Sequence, residues 1–78
     1  MTFLIHAGAP LDETQLRARA LATWRDAERH VHLRWDDFLA ADRTWRGGAF
    51  AAYVAALDAE AAAASELAGA RSDLAEAA

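Results

Sequence analysis

Apolar side chains recur through the first half of the chain at a helical interval. Trp24, Val31, Phe38 and Trp45 stand seven residues apart, and Ala20, Leu21, Ala27, Trp35, Leu39 and Ala41 fill in beside them. At about 100° per residue these positions form one broad apolar stripe on a single helix. The start of that helix is marked. Asp12 is placed to accept from the amide of Gln15, and Gln15 to reach back to the Asp12 amide, the reciprocal arrangement of a capping box. Leu11 and Leu16 occupy the two positions of a hydrophobic staple, and Glu13 suits the positive end of a helix. The pattern therefore predicts helix one over about 13–45. Gly47-Gly48 follows, and Gly is the favoured residue just past a helix end. A second possibility is open at Ala41-Asp42-Arg43-Thr44. There Asp42 caps a new helix, which moves the turn earlier and puts both glycines inside helix two.

Helix two is expected over about 49–75. Phe50, Val54, Leu57, Ala61, Ala64 and Ala68 follow a 3.6-residue period, with Tyr53, Leu67 and Leu74 on the shoulder. Its far half is almost entirely Ala and acidic residues, and Ala has the highest helix propensity. The expected fold class is all-α: an antiparallel two-helix hairpin forming a single domain over 1–78. Residues 1–11 make an extended arm, 12–46 helix one, 47–48 the turn, and 49–78 helix two with a frayed tail. Phe3-Leu4-Ile5 in the arm also has the character of a strand offered to a partner's sheet edge.

Composition narrows the functional classes. Seventy-eight residues without cysteine give a small core, no disulfides and no thiolate metal site. All eight basic residues are Arg, and with 23 Ala this suggests a GC-rich coding sequence. The formal charge of −4 is uneven: seven Arg balance seven acids through residue 46, whereas Arg71 alone opposes five acids after it. A nucleic-acid-binding chain would be expected to carry a basic face, so no nucleic-acid partner is expected. No apolar run approaches the ~20 residues of a membrane span, so no membrane partner is expected either. The N-terminus lacks the basic flank and apolar length of a secretory leader. A cytoplasmic location is the default, and export would proceed without a Sec-type leader.

Candidate chemistry is sparse. Glu28, His32 and Asp36 are spaced by four and share one side of helix one, the only metal-like stripe. A set with one His is a weak one for zinc, which takes three or four protein ligands, and helix two carries no His to complete it. The expected reading is a solvated, salt-bridged face, with no metal and no cofactor. Ser65 and Ser72 have no His on their helix, and nothing resembles a nucleophile with its base. The chain is expected not to be an enzyme.

Trp45-Arg46-Gly47 is a Trp-x-Gly between two helices, with Tyr53 on the first turns of helix two and Ala64-Ser65-Glu66-Leu67 further along. Over residues 40–68 this resembles the WXG family, small antiparallel helical hairpins exported by type VII secretion. The resemblance implies a four-helix dimer or heterodimer without enzymatic activity. The family's export signal, a Tyr followed four residues later by Asp or Glu, is not matched, because Tyr53 is followed at that spacing by Leu57. The same triplet also suits an unrelated hairpin with a Trp-Gly stop.

The stripe on helix one is wider than one Ala-lined helix covers, and exposed apolar patches of that kind mark association surfaces. The expected function is a protein–protein association module that pairs with itself or docks on a larger helical protein, completing a four-helix bundle. The expected interface residues are Trp24, Val31, Trp35, Phe38, Trp45, Phe50 and Leu57, with Trp45, Gly47 and Gly48 at the turn. Alternatives are a cytoplasmic accessory subunit that stabilises a larger complex, and a metal- or small-molecule-binding helical protein.

Overall fold

Asp12 sets the beginning of helix α1, Glu13–Ala40. Its carboxylate accepts from the Gln15 amide at 2.7 Å, and the Gln15 side-chain oxygen accepts from the Asp12 amide at 3.0 Å. The capping box expected from the sequence is therefore present, and the helix starts where expected. The computed structural model describes the backbone of residues 12–77 and the side chains of residues 12–71. The expected arm over 1–11 and the staple partner Leu11 lie outside the described residues.

The end of α1 differs from the expectation. The helix stops at Ala40, not near Trp45; Ala41 is extended (φ −71°, ψ 138°) and its amide donates to the Phe38 carbonyl at 3.3 Å. Asp42 then organises the connection. Its carboxylate oxygen and its carbonyl both accept from the Trp45 amide, at 3.2 and 3.1 Å. Ala49 donates to the Trp45 carbonyl at 3.0 Å, the first bond of helix α2, Arg46–Ala77. The turn is thus residues 41–45, and the assignment to Gly47-Gly48 is corrected: both glycines belong to the first turn of α2. The reason is local competition. An Asp side chain that captures a nearby amide favours caps and turns over helix interiors. Neither glycine has positive φ, and a Cβ added at either would meet nothing within 4 Å.

The helices, 28 and 32 residues long, run antiparallel. Phe38 lies against Phe50, Trp35 against Tyr53, and Trp24 against Glu60. On α1 the half-buried positions are Ala20, Leu21, Trp24, Ala27, Val31 and Phe38; Ala41 follows in the turn. On α2 they are Ala49, Tyr53, Ala56, Glu60, Ala64, Leu67 and Ala70, with Ala63 buried between them. Apart from Leu21 and Ala64, and with one position skipped between Val31 and Phe38, these positions alternate by fours and threes, the spacing of a coiled-coil seam. Ala49, Ala56, Ala63 and Ala70 recur every seventh residue and present only methyl groups to the partner helix.

That seam corrects a second expectation. Helix α2 faces α1 with a set shifted by one position, about 100°, from the one read off the sequence. Phe50, Val54 and Leu57 stay 50%, 39% and 37% exposed. A Phe/Val/Leu seam would hold the backbones apart, whereas an Ala seam with Tyr53 and Leu67 lets them approach and still encloses Trp24 and Val31. The Cα positions extend only 13 Å along the shortest axis, a single layer of helices. Stable domains ordinarily pack two layers around their core.

Candidate association surface

A two-helix layer has two broad sides, and here they differ in chemistry. One carries a shallow trough of about 530 Å³ lined by Thr23, Asp26, His30 and Arg34 of α1 and by small Ala side chains of α2, among them Ala52 and Ala59. Its polar groups serve one another along α1. Asp26 pairs with Arg29 at 3.1 Å and lies 3.8 Å from His30, whose Nδ1 donates to the Asp26 carbonyl at 3.0 Å.

The other side is apolar and carries the bulky residues. Near the turn, Trp35, Phe38, Phe50 and Tyr53 form one aromatic cluster. Centroids are 5.4 Å apart for Trp35–Phe38, 5.0 Å for Trp35–Tyr53, 5.7 Å for Phe38–Phe50 and 6.3 Å for Phe50–Tyr53. These tilted arrangements suit the ring quadrupoles. The Arg46 guanidinium lies 5.9 Å from the Phe38 ring centroid and donates to the Ala41 carbonyl at 3.4 Å, closing the turn end. Beyond the cluster, Leu39, Val54 and Leu57 continue the exposed apolar surface. Toward the free ends it narrows to a groove of about 400 Å³ lined by Leu21, Trp24, Glu60, Ala64, Leu67 and Arg71.

One polar contact crosses the seam. The Trp24 indole Nε1 donates to the Glu60 carboxylate at 2.7 Å in a half-buried position. Glu60 stands at a seam position between Tyr53 and Leu67, where an apolar residue would be expected, and the indole supplies its donor. The pair fixes register, because a slip by one turn would leave a carboxylate unpaired among Ala residues.

The residues expected at an interface divide into two groups. Trp24, Val31 and Phe38 lie in the seam between the two helices, half-buried within the hairpin itself. Trp35, Trp45, Phe50 and Leu57 remain exposed, at 40%, 70%, 50% and 37%. Sequence reasoning singled out neither Glu60, nor Val54 as an outward residue, nor Tyr53 as a seam residue. The sevenfold Ala register 49, 56, 63 and 70 was the signal that could have found them. Glu28, His32 and Asp36 are all exposed. Among the described residues no three His, Cys, Asp or Glu groups converge on a point that could hold a metal ion. Among them, too, no helix is long and apolar enough to cross a membrane.

Comparison with protein-family models, with curated proteins and with solved structures finds no match for this chain.

Proposed function

We propose that this hairpin is a non-enzymatic protein–protein association module that works by laying its apolar side on another helical surface. The observation that carries the reading is the exposure of Trp35, Leu39, Phe50, Val54 and Leu57 along one side of a single helical layer. Water contact with such surface is unfavourable by about 25 cal/mol per Å², and covering it supplies the second layer that the hairpin lacks. Docking on a larger complex as an accessory subunit uses the same side. The purified chain is expected to sediment as a dimer or larger at micromolar concentration, with a melting temperature that rises with concentration. A monomer whose Trp emission is red-shifted and quenched by acrylamide assigns the side to a different protein. A monomer with Trp35 shielded from quencher defeats the association reading.

A WXG-like role in type VII export is a second reading. In its favour, Trp45-Arg46-Gly47 spans the joint itself, with Trp45 the last residue before α2 and largely exposed. Its test is appearance of the chain in the medium of cells that carry such a secretion system, and loss of that export when the system is removed.

A further inference from the structure

Bulky apolar side chains concentrate at the turn end of the apolar side and Ala side chains toward its free ends, where Leu21 and Arg71 also stand. Near the turn stand Trp35 and Leu39 on α1 and Phe50 and Val54 on α2; toward the free ends stand Ala18 on α1 and Ala61, Ala64 and Ala68 on α2. Between them, on the same edge of α1, lie the exposed Arg25 and Glu28. We infer that the occupant of this side is a second copy of the chain, laid face to face and reversed end for end, so that each turn end covers the other's alanine end. The inference rests on the association reading above and names its partner.

Two face-to-face arrangements have a two-fold axis. With the axis along the helices, turn end meets turn end. Trp35 and Phe50 then crowd against bulky counterparts while Ala faces Ala at the far end, leaving a wedge-shaped gap. Interiors pack at near-crystalline density, so overpacking at one end and a void at the other both cost stability. With the axis across the hairpin, each helix lies antiparallel on its own counterpart, and the bulky turn end meets the Ala-rich end. The Trp24–Glu60 contact sets the level of the two helices, and the midpoint of the apolar side falls near residues 26–27 of α1 and 59–60 of α2. About that midpoint Trp35 covers the second copy's Ala18, Leu57 lies near its Ala61, and Phe50 near its Ala68. Arg25 meets the second copy's Glu28, and the symmetry repeats the pair. Neither group has an ion-pair partner among the described residues within its own chain.

Size is consistent with this occupant. From Phe50 to Ala68 the side is about 27 Å long at 1.5 Å per residue, and two helices are about 20 Å wide. That is about 500 Å² per copy and about 1,000 Å² in all, the lower bound for a specific interface. The dimer is therefore expected to be a modest one, complete at tens of micromolar and dissociating on dilution toward about 1 μM.

The chain has no cysteine, so introduced thiols report contact unambiguously. His32→Cys and Leu21→Cys, made in separate chains and mixed under mild oxidation, are expected to form an intermolecular disulfide. A mixture of Leu21→Cys with Ala64→Cys is expected to form none. In the same frame Arg25→Glu or Glu28→Arg alone weakens the dimer about fivefold, and the double variant recovers to within about twofold of the parent. Circular dichroism of each variant confirms that the helices are intact. A Leu21–Ala64 disulfide in place of Leu21–His32 overturns the reversed arrangement and leaves the association reading standing. A chain that is monomeric at all concentrations and forms neither disulfide overturns the second copy as occupant. Quenching of Trp35 in that monomer then decides separately whether the association reading survives.

Discussion

At the scale of single residues, the telling positions are a cap and a cross-seam pair, with two glycines between them. Asp12 satisfies a free amide at the start of α1, so Asp12→Ala is expected to destabilise the hairpin by about 1 kcal/mol, read as a lower melting temperature at fixed protein concentration. Gly48 and Gly69 do the opposite. Both sit in α2 with ordinary helical backbone and open space where a Cβ would be. Gly48→Ala and Gly69→Ala are each expected to stabilise by about 0.5–1 kcal/mol, through lower entropy of the unfolded chain. A loss of stability in either would mean that the position is not helical. Trp24 belongs to the cross-seam pair. Trp24→Phe keeps the ring but removes the indole donor, leaving the Glu60 carboxylate half-buried without its partner, at an expected cost of about 1–3 kcal/mol. Glu60→Leu in the same background should recover much of that loss, because two apolar groups replace the pair.

At the scale of the elements, the seam depends on smallness. Ala63 is the one described residue that is buried, and it stands third in the row Ala49, Ala56, Ala63 and Ala70. Ala63→Leu is expected to push the helices apart and destabilise by about 1–3 kcal/mol, whereas Ala62→Leu, one position away on the exposed side, should change little; chemical denaturation of the two variants separates them. How much of this was legible beforehand follows from the same residues. The start of α1 was fully legible, because Asp12 and Gln15 each act on the other's amide three residues away. Two helices and a hairpin followed from periodicity and from the absence of breakers. The turn was misplaced because Gly47-Gly48 carries a strong generic signal for a helix end, while Asp42 ended the helix by a specific hydrogen bond. The face of α2 is not legible from bulk, because Phe50, Val54 and Leu57 point away from the seam. In a helix this rich in Ala the buried row is the small one, and that depends on what the opposite helix presents. Trp35 was expected at an interface and is exposed, but which side of the hairpin would gather Trp35, Phe50 and Leu57 required the rotation of α2 to be known.

At the scale of the whole molecule, one side of a thin layer is wet by preference and the other is not. Trp35 and Leu33 lie on different sides of α1, and both are substantially exposed, at 40% and 50%. Equal exposure would give equal consequences if only exposure mattered. Trp35→Ala is expected to lower self-association by at least tenfold, since buried aromatic anchors dominate interfaces, while Leu33→Ala leaves it within about twofold; equilibrium sedimentation of both variants makes the comparison. His32→Gln replaces one polar side chain by another of similar reach opposite the second copy's Leu21, and is expected to change assembly at pH 7 by no more than about twofold.

The short connection at 41–45 also dictates an order of events. Phe38 meets Phe50 across 12 residues (50 − 38), Trp35 meets Tyr53 across 18 (53 − 35), and Trp24 meets Glu60 across 36. Each contact shortens the loop that the next must close, so the entropy of closure is spent in small steps. The molecule should close like a zip from the aromatic cluster outward and come undone from the other end. Amide hydrogens around Val31 and Tyr53 should exchange slowest, with protection falling steadily toward Gln15 and Ala70. Proteases should nick the free ends first, and folding should be fast for a chain of this size, since almost nothing distant has to meet before something near has already met.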